Sequence, residues 1–159
     1  MDLNPTPEIV LVDDEEMVVT SVRAFLMLET EYNVHGFTSP LEAAAHLEIS
    51  PADVVISDYL MPHMNGIQML TRAKDLQPEA ARILLTGHAD KQSAIQAINE
   101  VGLYHYVEKP WDNAQLLLII KSAIERTQLI RQVRAMVSKL DNAHDSLKDI
   151  QGRLIKAFL

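Results

Sequence analysis

Five short, strongly apolar runs separated by longer amphipathic stretches constrain this chain more than any other feature. Strand-like segments fall near residues 8–12, 32–36, 53–57, 82–86 and 104–107. Helix-like segments fall near 15–29, 40–49, 65–76 and 91–101, and another runs from 112 onward. Runs such as Ile9-Val10-Leu11-Val12, Val54-Val55-Ile56 and Ile83-Leu84-Leu85 lack the apolar–polar alternation of a sheet with one wet face. They read as strands buried on both sides. A helix-length connection after each makes neighbouring strands parallel and the crossovers right-handed. The predicted fold is α/β, a doubly wound five-stranded parallel sheet with an extended C-terminal helix.

Local punctuation agrees with these elements. Ser39-Pro40-Leu41-Glu42 offers a capping serine, proline at the first helical position and glutamate three residues after the cap, and Asp112-Asn113-Ala114-Gln115 repeats that logic. Gly102 follows a helix in which Ala94, Ile95, Ala97, Ile98 and Val101 are predicted to form one buried face. After Trp111 there is no proline, and no glycine until Gly152. Over that stretch Leu129, Val133, Met136, Leu140, Ala143, Leu147, Ile150, Leu154 and Ala157 recur at alternating spacings of 4 and 3, a heptad seam. The reading is therefore a globular domain over residues 1–126 and a helical coiled-coil segment over 127–159. Such a stripe needs a partner, and a parallel homodimer through 127–159 is the favoured one; folding back onto its own domain is the other. Flanking positions Gln132, Val137, Lys139, His144, Ser146, Gln151 and Arg153 carry few opposed charges, so strand number and orientation are weakly specified.

An apolar fraction of 48% fills a core and excludes a disordered chain. The absence of cysteine removes disulfides, thiolate nucleophiles and cysteine zinc sites. Met1-Asp2-Leu3-Asn4-Pro5 has neither a basic nor an apolar leader pattern, and no apolar run is long enough to span a bilayer. A soluble cytoplasmic protein without a membrane partner is the expectation. Residues 1–126 carry a net charge of −11 and residues 127–159 one of +3. An acidic globular part is a poor match for a phosphate backbone, so direct nucleic-acid binding is not expected.

The chemistry lies at the strand ends. Asp13-Asp14, Asp58, Thr86 and Lys109 each follow an apolar run, with Tyr106 just before the lysine. In an open parallel sheet the residues beyond the carboxyl ends of the strands share one crevice. Two carboxylates ~5 Å apart repel by about 3 kcal/mol at an effective dielectric near 20. A cluster of three must hold protons or bind a cation, and oxygen-only donors select a hard ion, best Mg²⁺. A carboxylate beside Mg²⁺ is a possible nucleophile toward phosphorus. A threonine hydroxyl and a lysine can then serve the phosphoryl oxygens, and Gly87 leaves room for the group. Singly, Asp13-Asp14 reads as a helix cap, Thr86 as a strand end, Lys109 as a surface lysine and Tyr106 as a half-buried strand aromatic; together they do not. The six histidines show no ligand spacing and read as surface or packing residues.

The runs Leu-Val-Asp13-Asp14-Glu, Ser-Asp58-Tyr-Leu-Met61-Pro62 with Gly66, Leu-Leu-Thr86-Gly87-His and Tyr106-Val-Glu-Lys109-Pro110 resemble the receiver domain of two-component response regulators, over about residues 7–126. The resemblance implies a flavodoxin-like receiver in which Asp58 accepts a phosphoryl group from a sensor histidine kinase. It implies Mg²⁺ held by Asp13, Asp14, Asp58 and the backbone carbonyl of Leu60, and Thr86 and Lys109 on the phosphoryl oxygens. It also implies a cis Lys109–Pro110 peptide and a switch in which Thr86 shifts and the Tyr106 ring turns inward. Leu60 and His88 flank the site and are expected to tune phosphoryl lifetime. Such a chain is no enzyme in its own right beyond self-catalysed phosphotransfer and dephosphorylation.

Two other readings bear on the same residues. A haloacid-dehalogenase-like phosphohydrolase wants a second aspartate two residues past the nucleophile, where this chain has Leu60. A pseudo-receiver acting only as a phosphorylation-independent dimerisation and docking scaffold has no need of all five site residues. Trp111-Asp112 after Lys109-Pro110 resembles receivers that continue into outputs such as cyclic-di-nucleotide phosphodiesterases and hydrogenase regulators. The sequence stops at Ala157-Phe158-Leu159 within the seam, so the expectation is a receiver and linker from a longer protein carrying an output domain.

Overall fold

The computed structural model describes residues 5–158. Met1–Asn4, part of the segment inspected for a leader, and Leu159, at the end of the seam, lie outside the described residues. Strands β1 (Glu8–Val12), β2 (Asn33–Phe37), β3 (Val54–Asp58), β4 (Ala81–Thr86) and β5 (His105–Glu108) alternate with helices α1 (Glu16–Glu29), α2 (Pro40–Ile49), α3 (Gly66–Leu76), α4 (Lys91–Ala97) and α5 (Asn113–Phe158). The sheet is wholly parallel, in the order β2-β1-β3-β4-β5. The fold is the doubly wound, flavodoxin-like arrangement with an extended last helix.

Alternate residues of each strand feed two cores. Ile9 and Leu11 point with Val54, Ile56, Ile83 and Leu85 toward Val22 and Leu26 of α1 and Leu116, Ile120 and Ile124 of α5. Val10, Val12, Val55 and Leu84 point the other way, toward Leu47 of α2, Met69 and Leu70 of α3, and Ala94 and Ala97 of α4. Most of these side chains are fully buried, and each large one contributes roughly 1.5–3 kcal/mol by leaving water. The central strands are apolar on both faces because both faces carry helices.

The helix ends follow local chemistry. Ser39 Oγ accepts from the Glu42 amide at 3.4 Å with Pro40 at the first helical position. Asp112 Oδ1 accepts from the Ala114 amide at 2.9 Å at the start of α5. Asn65 and Gln68 make a full capping box on α3, which the sequence reading passed over.

The segment after β4 departs from expectation. Its α-helix stops at Ala97 and continues as a π-helical turn over Ile98–Gly102. Gly102 takes φ +69°, and its carbonyl oxygen accepts two bonds from the Arg82 guanidinium, at 3.1 and 3.3 Å. Ala94, Ala97 and Val101 form the buried stripe, whereas Ile95, predicted to share that face, is 48% exposed and lies off it. One residue is about 100° of helix, enough to carry Ile95 off the stripe set by Ala94.

The chain divides by internal contacts between Thr127 and Gln128. Thr127 is the last buried residue of α5, and its Oγ1 donates to the Asp53 carbonyl oxygen at 3.0 Å. Asp53 also receives the Glu8 amide on its carboxylate at 2.7 Å. Thr127→Val keeps the shape and removes the donor, so urea unfolding should show a loss of about 1 kcal/mol. An unchanged midpoint would mean that the bond holds nothing. From Gln132 to Phe158 every residue of α5 is exposed, the seam included. Among the described residues no helix is long and apolar enough to cross a membrane.

Candidate functional site

Four strand ends deliver the predicted residues. Asp13 follows β1 and is fully buried; its amide donates to the Phe37 carbonyl at 3.1 Å, which fixes it against the end of β2. Asp14, next in the chain, is exposed. Asp58 closes β3 and is 5% exposed. One carboxylate oxygen from each of these three lies within 4.8 Å of the other two, the only such cluster among the described residues. Lys109 follows β5, and its Nζ lies 2.9 Å from Asp58 Oδ1 and 3.6 Å from Asp13 Oδ2. The Lys109–Pro110 peptide is cis.

The chain before α3 is held close to the end of β3. The Tyr59 amide donates to the Leu85 carbonyl at 2.9 Å, and the Gly66 amide returns to the Tyr59 carbonyl at 2.8 Å. A Cβ on Gly66 would collide with the Asp58 carbonyl oxygen and come 2.7 Å from Leu84 Cδ1. Only glycine permits that approach. Gly87 is different: a Cβ there would meet nothing closer than Asp90 Oδ2 at 3.6 Å, so the space beside Thr86 is open.

Thr86 ends β4 fully buried, and its Oγ1 donates to the Gly87 carbonyl at 2.7 Å. Its own carbonyl accepts the Lys109 amide at 2.8 Å, so β4 and β5 are tied at the site. Tyr106 is half-buried on β5 and packs against the core beneath α4. Leu60 lies two residues past Asp58 with an exposed side chain. His35 and His46 stack at 4.6 Å near Phe37, away from the site, consistent with a packing role.

Sequence reasoning missed one contact at the rim. His88, in a 3-10 turn over His88–Asp90, has its Nδ1 2.8 Å from Glu108 Oε1. No local pattern joins residues 20 apart; the available signal was the parallel register, which sets Thr86 opposite Glu108.

The electrostatics are those of a cluster short of positive charge. Burial pushes the Asp13 carboxyl up to about 6, against the Glu15 amide that donates to its Oδ1 at 2.9 Å, and the neighbouring Asp58 charge adds to the rise. Asp13 Oδ2 is buried without a hydrogen-bond partner. Burial also raises Asp58, although the Lys109 bond and charge pull the other way. Burial opposes the Lys109 charge, but its bond to Asp58 and the Asp13 and Asp58 charges overcome this and raise its pKa. An all-oxygen cluster with an orphaned buried carboxylate oxygen fits a hard divalent cation.

A pH dependence follows. An acid raised in the fold is harder to ionise there than in the unfolded chain, so Asp13 costs stability as pH rises from about 4 through 6. Metal-free protein should lose stability across that interval, and millimolar Mg²⁺ should restore it at pH 7 by about 5 °C in a thermal melt. Asp13→Asn should weaken both effects, leaving the part that belongs to Asp58, whose carboxyl is also raised by burial. Melts indifferent to Mg²⁺ at pH 7 would count against a cation site.

Comparison with known proteins gives the same picture. Residues 9–121 match the family model of the response regulator receiver domain. The chain is 32% identical over 117 residues to the hydrogenase transcriptional regulatory protein HoxA of Cupriavidus necator, covering 74% of this chain and 24% of that protein. It is 31% identical over 145 residues to the C4-dicarboxylate transport transcriptional regulatory protein DctD of Rhizobium meliloti, covering 91% of this chain and 31% of that one. The chain thus spans about a quarter to a third of the length of these curated relatives. A response regulator receiver domain protein from Clostridium thermocellum superposes with a TM-score of 0.72 at 32% identity, covering 78% of this chain and 98% of that structure. Fold, strand-end chemistry and relatives converge, and this chain belongs to the response regulator receiver domain family.

Proposed function

We propose that this protein is a phosphoacceptor switch in which Asp58 takes a phosphoryl group from a sensor histidine kinase. The observation that supports it most is the set of three carboxylates within 4.8 Å of one another, with Lys109 bridging two of them at the carboxyl edge of the sheet. Asp13, Asp14, Asp58 and the backbone carbonyl of Leu60 would hold Mg²⁺, which when bound neutralises phosphoryl oxygens and relieves the repulsion within the cluster. An Asp58 oxygen attacks phosphorus as the bond to the donor breaks. Lys109 then leaves its ion pair with the unmodified carboxylate to meet a phosphoryl oxygen, and the Thr86 hydroxyl leaves the Gly87 carbonyl to meet another. Movement of Thr86 opens space for Tyr106, and the change passes along β5 to α5. The chain performs no other catalysis in this reading.

The same reading takes residues 1–126 as the receiver and 127–159 as a linker that pairs two copies in the cytoplasm. An output domain in the full-length protein would read the change. No nucleic acid is bound directly.

Incubation with Mg²⁺ and acetyl phosphate followed by intact mass tests the acceptor. One phosphoryl addition, lost when Mg²⁺ is chelated beforehand, is expected. Trp111, the one tryptophan, follows Lys109–Pro110 and should report beryllofluoride binding by fluorescence. No adduct and no fluorescence response would leave a phosphorylation-independent scaffold as the better account. The pairing has its own test by light scattering. The full chain should be dimeric at high micromolar concentration, and Leu140→Asp with Leu147→Asp, at positions 69% and 60% exposed, should make it monomeric without unfolding the receiver. A monomeric wild type would remove the seam as an interface.

A further inference from the structure

We infer that the C-terminal seam pairs two copies of this chain antiparallel, in a register that sets Leu129 of each copy beside Leu154 of the other. This rests on the pairing proposed above and adds its orientation, which brings the end of each linker to the receiver of the other copy.

The surface is large enough to need covering. Its seven large seam side chains, from Leu129 to Leu154, are 50–69% exposed. They present on the order of 800 Å² per copy, what each partner gives to an interface of standard size. The alternating spacing places Val133 and the leucines from Leu140 to Leu154 at heptad position a, and Leu129, Met136, Ala143 and Ile150 at position d.

The flanks leave orientation weakly specified, and a parallel pair is the expectation from sequence; the size of the core side chains favours the reverse. In a parallel pair a meets a and d meets d. Ala143 then faces Ala143, a hollow layer in the middle of the seam between layers of Leu140 and Leu147. Leucine at a with isoleucine at d is also the opposite of the choice that favours two parallel strands.

Antiparallel pairing joins a to d. With the two-fold axis midway between Leu140 and Ala143, Leu140 meets Ala143, Met136 meets Leu147, Val133 meets Ile150 and Leu129 meets Leu154, each contact made twice. The one small residue in the overlap meets a large one, so every layer is filled. Ala157 lies beyond the overlap. The flanks agree: Lys139 faces Ser146, Gln132 faces Arg153 and Val137 faces His144, so no like charges meet. A register shifted by one heptad toward the C-terminus puts Lys139 against Arg153, a repulsion, and leaves Leu129 bare.

Leu129 and Leu154 stand ~38 Å apart along one helix at 1.5 Å per residue. Leu154 of one copy therefore lies beside the start of the other copy's seam, two residues past Thr127, the last buried residue of α5. The output domain proposed above would emerge there and read the phosphoryl state of the other copy.

The chain contains no cysteine, so introduced cysteines report contacts without background. Full-length Leu129→Cys, Leu154→Cys and the variant carrying both are reduced, returned to mild oxidant at micromolar concentration and followed on non-reducing gels. The double variant should link into covalent dimers at least about tenfold faster than Ser138→Cys, which lies on the outer face and measures chance collision. Peptide mapping should find residue 129 joined to residue 154. Neither single variant should exceed the Ser138→Cys rate, because like sites stand ~38 Å apart, far beyond the reach of a disulfide. Gln132→Cys with Arg153→Cys keeps every seam side chain and should give the same result with a short bis-maleimide. Fast linkage in a single variant means parallel helices and overturns the proposal while the pairing stands. A dimeric protein in which neither double variant links faster than the control overturns it too. A wild type that is monomeric by light scattering overturns the pairing and the orientation together.

Discussion

Asp58→Asn should abolish phosphoryl uptake completely, leaving intact mass unchanged after Mg²⁺ and acetyl phosphate under conditions that modify the wild type fully. Asparagine has nearly the same shape and keeps an oxygen for the Lys109 contact that Asp58 makes at 2.9 Å. Its amide oxygen carries no negative charge, so the nucleophile is lost while the packing survives. Stability should change little: an ion pair is lost, and the repulsion among three carboxylates within 4.8 Å of one another is relieved. Mg²⁺ affinity should fall, because one of three charged donors has gone. If the variant is still modified to the same extent, Asp13 or Asp14 is the acceptor and the assignment of Asp58 is wrong.

Gly66→Ala should cost about 3 kcal/mol or more in urea unfolding, a large effect for one methyl group. The reason is where the methyl must go. It meets the backbone carbonyl of Asp58 on one side and Leu84 Cδ1, at 2.7 Å, on the other. A side chain can change rotamer to make room, but a strand carbonyl cannot move without pulling β3 out of register with β4. The Tyr59 amide and carbonyl, bonded to Leu85 and Gly66, are tied into the same region. Phosphoryl uptake in whatever fraction folds should fall as well, because the displaced residue is Asp58 itself. Stability within about 1 kcal/mol of wild type would show that the α3 entrance adapts. Glycine would then not be required there.

Much of this was legible before the structure. Ile9–Val12 and Ile83–Leu85 are apolar at successive positions, a pattern few elements besides a doubly covered strand produce. Once such strands are parallel, the placing of Asp13, Asp58 and Lys109 in one crevice follows from topology. What could not be read was set by contacts between distant residues. The helix after β4 was expected to run to Val101, but the Arg82 guanidinium holds the Gly102 carbonyl, and the chain reaches it through a π turn. Ile95 looked buried because helical spacing alone does not say which apolar stripe meets the sheet. The His88–Glu108 contact has no signature within either segment. The capping box at Asn65 and Gln68 was readable from residue types and spacing and was overlooked.

The strand order has a consequence for how the molecule is made. Asp13 and Lys109 are far apart in the sequence, just past the first and last strands of the chain, yet they lie 3.6 Å apart across a sheet whose inner strands are β1, β3 and β4. A nascent or half-folded chain can own Asp58 and still lack the lysine that answers it. Refolding in the presence of Mg²⁺ and acetyl phosphate should therefore show phosphoryl uptake only as β5 joins the sheet, never ahead of it. Under the proposed function, competence to take up the phosphoryl group would certify completed folding, and unfinished copies would stay silent.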